Sequence, residues 1–197
     1  MKYLKFVSSL LLTAIVFYGL NNKFGSAPPI GKFLNPVSGI WQNEKDESVT
    51  GTVSIDGLKD KVTVHYDEQL IPHIFAENEN DLYRAQGYIT AKHRLWQMEF
   101  QTMAAAGRLS EFIGEAALNY DRRQRRLGMG FGAEQAIEKI KEDPETMAFL
   151  EAYAEGVNSY INELQPKDIP VEYKLLDYKP EAWTVKKTAL LLMYMTK

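Results

Sequence analysis

The feature that most constrains this chain is a long amphipathic segment that begins near Asn80 and ends at Gly107. Asn80 is the expected N-cap, Asp81 follows in the first turn, and Gly107 is the expected stop before a short helix closed by Gly114. Inside an exposed helix Gly87 would cost about 1 kcal/mol relative to alanine. We therefore expect either a close backbone approach at Gly87 or a helix that starts after it. Apolar residues recur at the spacing of one helix face at Leu82, Ala85, Ile89, Trp96, Phe100 and Met103.

The N-terminus has the layout of a secretory signal or a membrane anchor, and residues 1–24 are assigned to it. Lys2 and Lys5 precede an uncharged run over residues 6–20. A bilayer-spanning helix needs about 20 apolar residues, so this run is short for a stable anchor. The small residues at 25–27 offer a poor cleavage site, because a proline follows directly. Export is expected, and the sequence leaves open whether residues 6–20 are cleaved off or remain as an anchor.

An extended spacer is expected over residues 25–48, because Pro, Gly and Asn are frequent there. From Val49 to Ile74 apolar and polar residues alternate, which is typical of strands. Turn signals at Asp56-Gly57 and over residues 67–70 divide this region into two or three short strands. The predicted fold class is α+β, predominantly helical, with a short N-terminal β element.

Two features follow Gly114. A short helix is predicted over residues 116–127, and it places Asp121 and Arg125 where they can pair across one turn. The glycine-rich stretch 128–132 lacks the strand and the lysine of a phosphate-binding loop, so it predicts a bend.

The last third of the chain contains two clear helix starts. Asp143-Pro144 combines a capping carboxylate with proline at the first helical position, and the helix is expected to end before Pro166. Thr184 opens an apolar helix over residues 185–195, which is still in full pattern near Lys197.

Composition and the histidines exclude several functions. A net charge of −3 argues against nucleic acid as the main partner, and the absence of cysteine removes thiolate catalysis and zinc–thiolate sites.

His73 is interpreted as a strand-end histidine bonded to the backbone rather than a general base, because no serine or cysteine partner is indicated nearby. His65 is expected to face solvent, and His93 lacks a second ligand four residues away. The acidic run 77–81 is better explained as a helix start than as a calcium loop. No catalytic residue and no metal site are predicted in this chain.

Several separated motifs resemble the α-chain region of the penicillin acylase family of N-terminal nucleophile hydrolases. The resemblance covers roughly residue 62 to the end, and residues 49–197 are assigned as the α-chain domain, truncated at its C-terminal end. Lys92 and His93 depart from the family, which usually has glutamine and aspartate there. The matching residues are Gly87, Tyr88, Ala91, Arg94, Leu95, Trp96, Gln97, Met98, Gly107, Arg108, Leu109, Ser110, Glu111 and Gly114, with further matches over 153–158 and 170–183.

The resemblance implies an αββα hydrolase whose precursor cuts itself into a small α chain and a larger β chain. The new N-terminal serine of the β chain attacks the amide carbonyl, and its own α-amine acts as the base. The implied partners are that β chain and an acylated small molecule, either a β-lactam side chain or an acyl-homoserine lactone. Thr196 is the one implied substrate-binding residue of this chain. The chemistry implies no cofactor, although a structural calcium ion is compatible with the full enzyme, its α-chain ligand lying beyond Lys197.

The residues alone favour a second hypothesis, a non-catalytic exported helical binding module on the same scaffold. That hypothesis would rank first without the resemblance, because no catalytic constellation is present. With the resemblance, we expect an enzyme precursor of periplasmic or other extracytoplasmic location, and we expect this polypeptide alone to be inactive.

Overall fold

The computed structural model describes residues 2–25, 28–43 and 51–196. A long N-terminal helix, short helical turns and two strands precede a set of packed helices, and the predominantly helical α+β prediction is confirmed. In chain order the elements are α1 (Lys2–Asn21), α2 (Ile30–Phe33), a 3₁₀ turn (Ile40–Gln42), β1 (Thr63–Tyr66), β2 (Pro72–Phe75), α3 (Glu79–Ala106), α4 (Ser110–Ile113), a 3₁₀ turn (Gly114–Ala117), α5 (Leu118–Arg126), α6 (Met129–Ile140), α7 (Pro144–Glu163), α8 (Val171–Leu176) and α9 (Val185–Met195).

The β element is a two-stranded antiparallel hairpin of β1 and β2. Its turn is organised by Asp67, whose carboxylate accepts the backbone N–H groups of Gln69 at 2.8 Å and Ile71 at 2.9 Å. Leu70 closes the turn with φ of 59°, in the left-handed region that favours glycine. The described residues 51–55 do not form the third strand that the alternation allowed, because no neighbouring strand supplies a hydrogen-bonding partner. The expected strand start at Val49 lies outside the described residues.

Helix α3 begins two residues earlier than the sequence suggested. Its N-cap is Asn78, whose side chain accepts the backbone N–H of Asp81 at 2.9 Å, and the predicted cap Asn80 lies inside the helix. Asp81 is fully buried, and its carboxylate accepts the backbone N–H groups of Lys59 at 3.0 Å and Asp60 at 2.8 Å. Burial alone would raise the pKa of Asp81, but these hydrogen bonds hold it below its usual value. Asp81 therefore ties the loop before β1 to the first turn of α3.

Helix α3 buries two overlapping faces. Ala85 and Met103 are buried as predicted, whereas Phe100 is 37% exposed. Trp96 and Phe100 pack with the ring of Phe112 on α4, with centroids 5.7 and 6.4 Å apart, while a different stripe of the same helix meets α7. Both stripes are apolar, so the sequence pattern alone does not distinguish the stripe that packs with Phe112 from the stripe that meets α7. The buried apolar residues of α3 are Ala85, Tyr88, Ala91, Leu95, Met98, Met103, Ala104 and Ala105.

Helices α3 and α7 cross in direct backbone contact. A Cβ atom at Gly87 would overlap the carbonyl oxygen of Tyr153, and one at Gly156 would overlap the carbonyl oxygen of Arg84. The predicted close approach at Gly87 is confirmed, and the alternative of a later helix start is wrong. Glycine at both positions lets two main chains touch where any side chain would hold them apart.

The helix starts near 143 and 184 are confirmed, while the bend over residues 128–132 is wrong. Asp143 caps α7 through the backbone N–H of Glu145 at 3.2 Å, and the Thr184 side chain caps α9. The chain bends only at Gly128, which has φ of 71°. Helix α6 begins at Met129 and continues through both later glycines, because its buried Met129 and Ala133 pack with residues of α9.

Helix α1 is long and apolar enough over Tyr3–Asn21 to cross a membrane, and none of it is buried. Within the predicted spacer, residues 28–43 form helical turns instead of an extended chain, because they pack on the domain. The small residues Ser26 and Ala27 lie outside the described residues. The domain boundaries stay predictions.

Candidate functional site

The turn between α3 and α4 (residues 107–110), which we call the latched turn, is held by side chains of α5. Gly107 has φ of 66°, and the Asp121 carboxylate accepts the backbone N–H groups of Leu109 at 3.0 Å and Ser110 at 2.7 Å. The Arg125 Nε donates to the carbonyl of Gly107 at 2.9 Å. The expected Asp121–Arg125 pair is therefore wrong: both side chains bind the turn, because the free N–H groups at the start of α4 attract the carboxylate.

A group of charged and tyrosine side chains, two of whose charges are buried, lies where α3, α8 and the start of α9 meet. Glu99 is 2% exposed and accepts hydrogen bonds from the Tyr173 hydroxyl, the backbone N–H of Glu181 at 3.0 Å and Lys187 Nζ at 3.2 Å. Every donor comes from a segment more than 70 residues away along the chain. We call this group the Glu99 network, and its members are Glu99, Arg108, Tyr173, Tyr178, Glu181 and Lys187.

Glu181 extends the network towards the turn after α3. It accepts hydrogen bonds from Arg108 Nη2 at 2.7 Å and the Tyr178 hydroxyl at 2.8 Å, and it lies 3.3 Å from Lys187 Nζ. The hydrogen bonds from Arg108, with those from Tyr178 and the Lys187 charge, lower the pKa of Glu181 to about 2. Burial raises the pKa of the Tyr178 hydroxyl, so this side chain stays a proton donor. Glu181 is therefore ionised at neutral pH. Lys187 lies within ion-pair distance of both Glu181 and Glu99, so it links the two carboxylates.

The segment that leads into α9 is clamped from a second direction. The Asn158 side chain on α7 both donates to the Trp183 carbonyl at 2.9 Å and accepts its backbone N–H at 2.7 Å. The buried Trp183 indole donates to Thr188 Oγ1 at 2.9 Å, and Lys187 Nζ lies 5.7 Å from its ring centroid. The first turn of α9 is thus fixed to α3 and α7 together, so the position of the whole helix is set at that end.

One feature of the sequence indicates this network. Glu99 and Lys187 are charged residues inside apolar helical stretches, and such residues are almost never fully buried unless they are paired. The spacing in sequence cannot reveal that two residues 88 positions apart are partners.

Thr196 lies at the exposed C-terminal end of α9. Its hydroxyl donates to the carbonyl oxygens of Leu192 and Met193 at 3.2 Å each. Leu192 and Met195, on the last turns of α9, are also exposed apolar side chains. That Thr196 binds substrate stays a prediction.

The histidines lie on the hairpin and on the outer face of α3. His73 Nε2 lies 3.2 Å from the exposed carboxylate of Asp67, so its partner is a side chain and not the backbone as expected. The Ile71 backbone N–H, followed by His73, lowers the pKa of Asp67. His65 is exposed as predicted, and His93 Nε2 lies 2.8 Å from the Tyr66 hydroxyl. Among the described residues no three or more His, Cys, Asp or Glu side chains converge on a metal site. That this chain carries no catalytic residue stays a prediction.

An open groove of about 620 Å³ separates the hairpin region from α3. Apolar side chains such as Val53 and Val64 form one wall, and Tyr88 and Ile89 form the other. Lys61 and Lys92 add positive charge to its lining. None of the described residues that line the groove is aspartate or glutamate.

Comparison with known sequences places these features in one family. The penicillin amidase family model matches residues 61–197. The chain is 40% identical over 135 residues to penicillin acylase 2 proenzyme from Pseudomonas sp. (strain SE83), which covers 68% of this chain and 17% of that protein. It is 31% identical over 173 residues to acyl-homoserine lactone acylase QuiP from Pseudomonas syringae pv. syringae (strain B728a), which covers 86% of this chain and 20% of that protein. The chain spans about a fifth of the length of these curated relatives.

The fold agrees with that assignment. A solved structure of thermostable penicillin G acylase from Alcaligenes faecalis matches with a TM-score of 0.62 and 26% identity, over 68% of this chain and 71% of that chain. The predicted fold class, a helical α+β part of an N-terminal nucleophile hydrolase, is confirmed. The backbone crossing of α3 and α7, the latched turn and the Glu99 network all lie within the matched residues. The chain belongs to the penicillin amidase family.

Proposed function

We propose that this chain is the α-chain segment of an amidohydrolase precursor that cleaves a linear amide bond of an acylated small molecule. The observation that carries the proposal is the family match over residues 61–197, with relatives named as penicillin acylases and acyl-homoserine lactone acylases. The acyl group would belong to a β-lactam side chain or to an acyl-homoserine lactone.

The proposed role of this chain is to build one wall of the acyl pocket. The attacking serine and its α-amine base would come from a β chain cut out of the same precursor, and the acyl-enzyme would then be hydrolysed. The charges of the Glu99 network support a scaffolding role, because each of its carboxylates is already bound by donors of this chain. The network would fix the start of α9, and thereby the placement of Thr196 at its other end.

The location and the metal content belong to the same proposal. The exposed apolar helix α1 supports export to the periplasm or another extracytoplasmic compartment. The chemistry of serine attack requires no cofactor. A structural calcium ion in the full enzyme is part of the proposal by family resemblance alone, and the described His, Asp and Glu side chains form no group that could hold it.

The test compares the complete precursor with the 197-residue polypeptide. Penicillin G and a series of N-acyl-homoserine lactones are supplied to each, and the released amine is measured. We expect the precursor to mature into two chains and hydrolyse at least one substrate class, and the 197-residue polypeptide to show no turnover. Turnover by that polypeptide alone would overturn the assignment of the nucleophile to a partner chain.

The coding sequence past Lys197 separates the two hypotheses. A serine, threonine or cysteine at a self-cleavage point, with asparagine in the following stretch, would support the hydrolase. A precursor that never matures, binds acylated molecules and turns none over would support the binding module.

The role of Thr196 is tested by Thr196→Leu in the complete precursor. A larger apolar side chain at the pocket wall is expected to change the preferred acyl length and raise KM more than it lowers kcat. The matched control is Thr63→Leu at the exposed start of β1. An unchanged acyl preference in Thr196→Leu would remove Thr196 from the pocket.

A further inference from the structure

Helix α1 presents an apolar surface on every side. Its 19-residue span Tyr3–Asn21 has no buried residue, so it is not a core helix of this domain. At 1.5 Å per residue the span measures about 28 Å, close to the roughly 30 Å hydrocarbon thickness of a bilayer. Phe6 and Phe17, on its two halves, are both 69% exposed. The environment that suits such a surface is lipid.

The end of α1 packs against α2. A Cβ atom at Gly31 would lie 2.9 Å from both Asn21 Oδ1 and the Leu20 carbonyl oxygen, so α2 touches the last turn of α1. The Asn21 side chain also donates back to the Phe17 carbonyl at 2.9 Å, which closes the helix end. The two helices therefore meet at a defined contact.

The segment after α1, which we call the collar (residues 28–43), is bound to the folded domain. Lys32 forms an ion pair with Asp177 at 2.7 Å. Lys174, which is 9% exposed, donates to the Gly39 carbonyl at 3.0 Å and to Asn43 Oδ1 at 2.7 Å. A lysine so deeply covered requires such partners, and the collar supplies them. The collar is therefore a part of the domain surface at α8.

The outer side of the collar is apolar and aromatic. Val37 is 76% exposed and Trp41 71% exposed. The Trp41 indole donates to the Leu34 carbonyl at 3.2 Å, which holds the ring beside another exposed apolar residue. Tryptophan is enriched where protein crosses the membrane–water boundary, because its ring is apolar and its N–H is polar.

We propose that α1 is retained as a bilayer anchor and that the collar seats the domain on the membrane surface, with Trp41 at the boundary. The contacts from α1 to α2, and from the collar to α8, form one continuous connection from lipid to domain. A secretory signal that is removed has no need of such a connection. The inference stands apart from the proposed hydrolase activity, because it concerns only where the chain is held.

The first experiment locates the N-terminus of the mature protein. The complete precursor is produced in a bacterial host, membranes are washed with alkaline carbonate, and the α chain is analysed by peptide mass spectrometry. We expect the α chain in the membrane pellet with peptides from residues 2–25 still attached. An α chain that begins at or after residue 26 and stays in the soluble fraction would overturn the proposal.

The second experiment places Trp41. The precursor is reconstituted in vesicles of phosphatidylcholine and phosphatidylglycerol that carry bromine near the head groups, which quenches nearby tryptophan fluorescence. We expect stronger quenching in the unaltered protein than in Trp41→Phe, and the difference reports on Trp41 because Trp96 and Trp183 are present in both proteins. Equal quenching in both proteins would refute the seating of the collar on the membrane.

The third experiment breaks the collar and leaves the anchor intact. Lys174→Met removes the buried donor, and we expect about a tenfold faster protease cut within the collar of the reconstituted protein, the fold-change that losing one charged hydrogen bond implies. The matched control is Lys139→Met, which removes an exposed lysine of α6 whose side chain is 78% exposed. The same cutting rate in both variants would contradict the docking of the collar on α8.

Discussion

Helix α3 meets α7 and α9 in opposite ways. Against α7 the contact is backbone on backbone, with glycine at both crossing points. At the start of α9 the contact runs through long charged side chains, with Lys187 reaching back to Glu99, and further along it is apolar, with Ala105 packed with Ala189 and Leu190. The α3–α7 contact requires that residues 87 and 156 carry no side chain. The start of the α3–α9 contact requires that the charges of Glu99 and Lys187 remain paired. The difference teaches that two helices of similar apolar pattern can be held by unrelated physics, and each must fail under a different perturbation.

The largest effect is expected at the α3–α7 crossing. Gly156→Ala places a Cβ atom on the Arg84 carbonyl oxygen, and main chain cannot rotate aside as a side chain can. We expect a loss of more than about 4 kcal/mol in the free energy of unfolding, measured by urea denaturation. Gly130→Ala in α6 is the control, because its Cβ would meet nothing within 4 Å. A similar loss in both variants would show that helical glycine itself, and not the crossing, matters.

The next effect tests the charge balance at α9. Glu99→Met leaves Lys187 buried beside fewer negative partners, and we expect a loss of about 3 to 5 kcal/mol. The double variant Glu99→Met with Lys187→Met removes both charges and is expected to recover most of that loss. Urea unfolding of both single variants and the double variant gives the coupling free energy between Glu99 and Lys187. Simple addition of the two single losses would argue against a coupled pair.

A smaller effect is expected at the latched turn, where the Asp121 carboxylate accepts two backbone N–H groups. Asp121→Asn keeps one acceptor oxygen but turns an amide N–H towards a backbone donor, so we expect a loss of about 2 kcal/mol in thermal or urea unfolding. Asp143→Asn at the exposed α7 cap is the control, and it should change stability by less than about 0.5 kcal/mol since asparagine also caps helices. Equal losses would mean that burial of Asp121 adds nothing.

The smallest effect concerns pH. The pKa of Glu181 is lowered to about 2, chiefly by Arg108, so its ionised form stabilises the fold at neutral pH. That contribution is complete above its ordinary pKa of 4.5 and is lost as pH falls towards 2. Glu181→Gln should therefore lose about 1 to 2 kcal/mol at pH 7, after discounting for solvent screening, and the difference should vanish near pH 2. A difference that is independent of pH would exclude an ionic origin.

The helices and the residues that begin and end them could be predicted from the sequence, because the interactions that decide them are local. The Asp143 and Thr184 caps are set by residues within three positions of the groups they bind. Gly87 was predictable as a close approach, since a mid-helix glycine needs a reason. Local rules do not separate the cap at Asn78 from Asn80, because the same residue type stands at both positions.

The site-level features could not be predicted because their causes are distant in sequence. Glu99 and Lys187 are 88 positions apart, and no period or motif joins them. Asp121 bonds the turn at Leu109 and Ser110 instead of the nearby Arg125, a choice that only the folded path of α5 decides. The glycine-rich stretch in α6 predicts a bend on composition alone, because composition does not show that this helix packs with residues of α9.

The glycine crossing also limits how this region can change over time. The nearest obstacle at each glycine is a backbone carbonyl oxygen, the other close atoms are also backbone, and every amino acid carries these atoms. No second substitution in a neighbouring side chain can make room for a Cβ atom at residue 87 or 156. A suppressor of such a change would have to shift a whole helix, so these two positions admit almost no sequence drift.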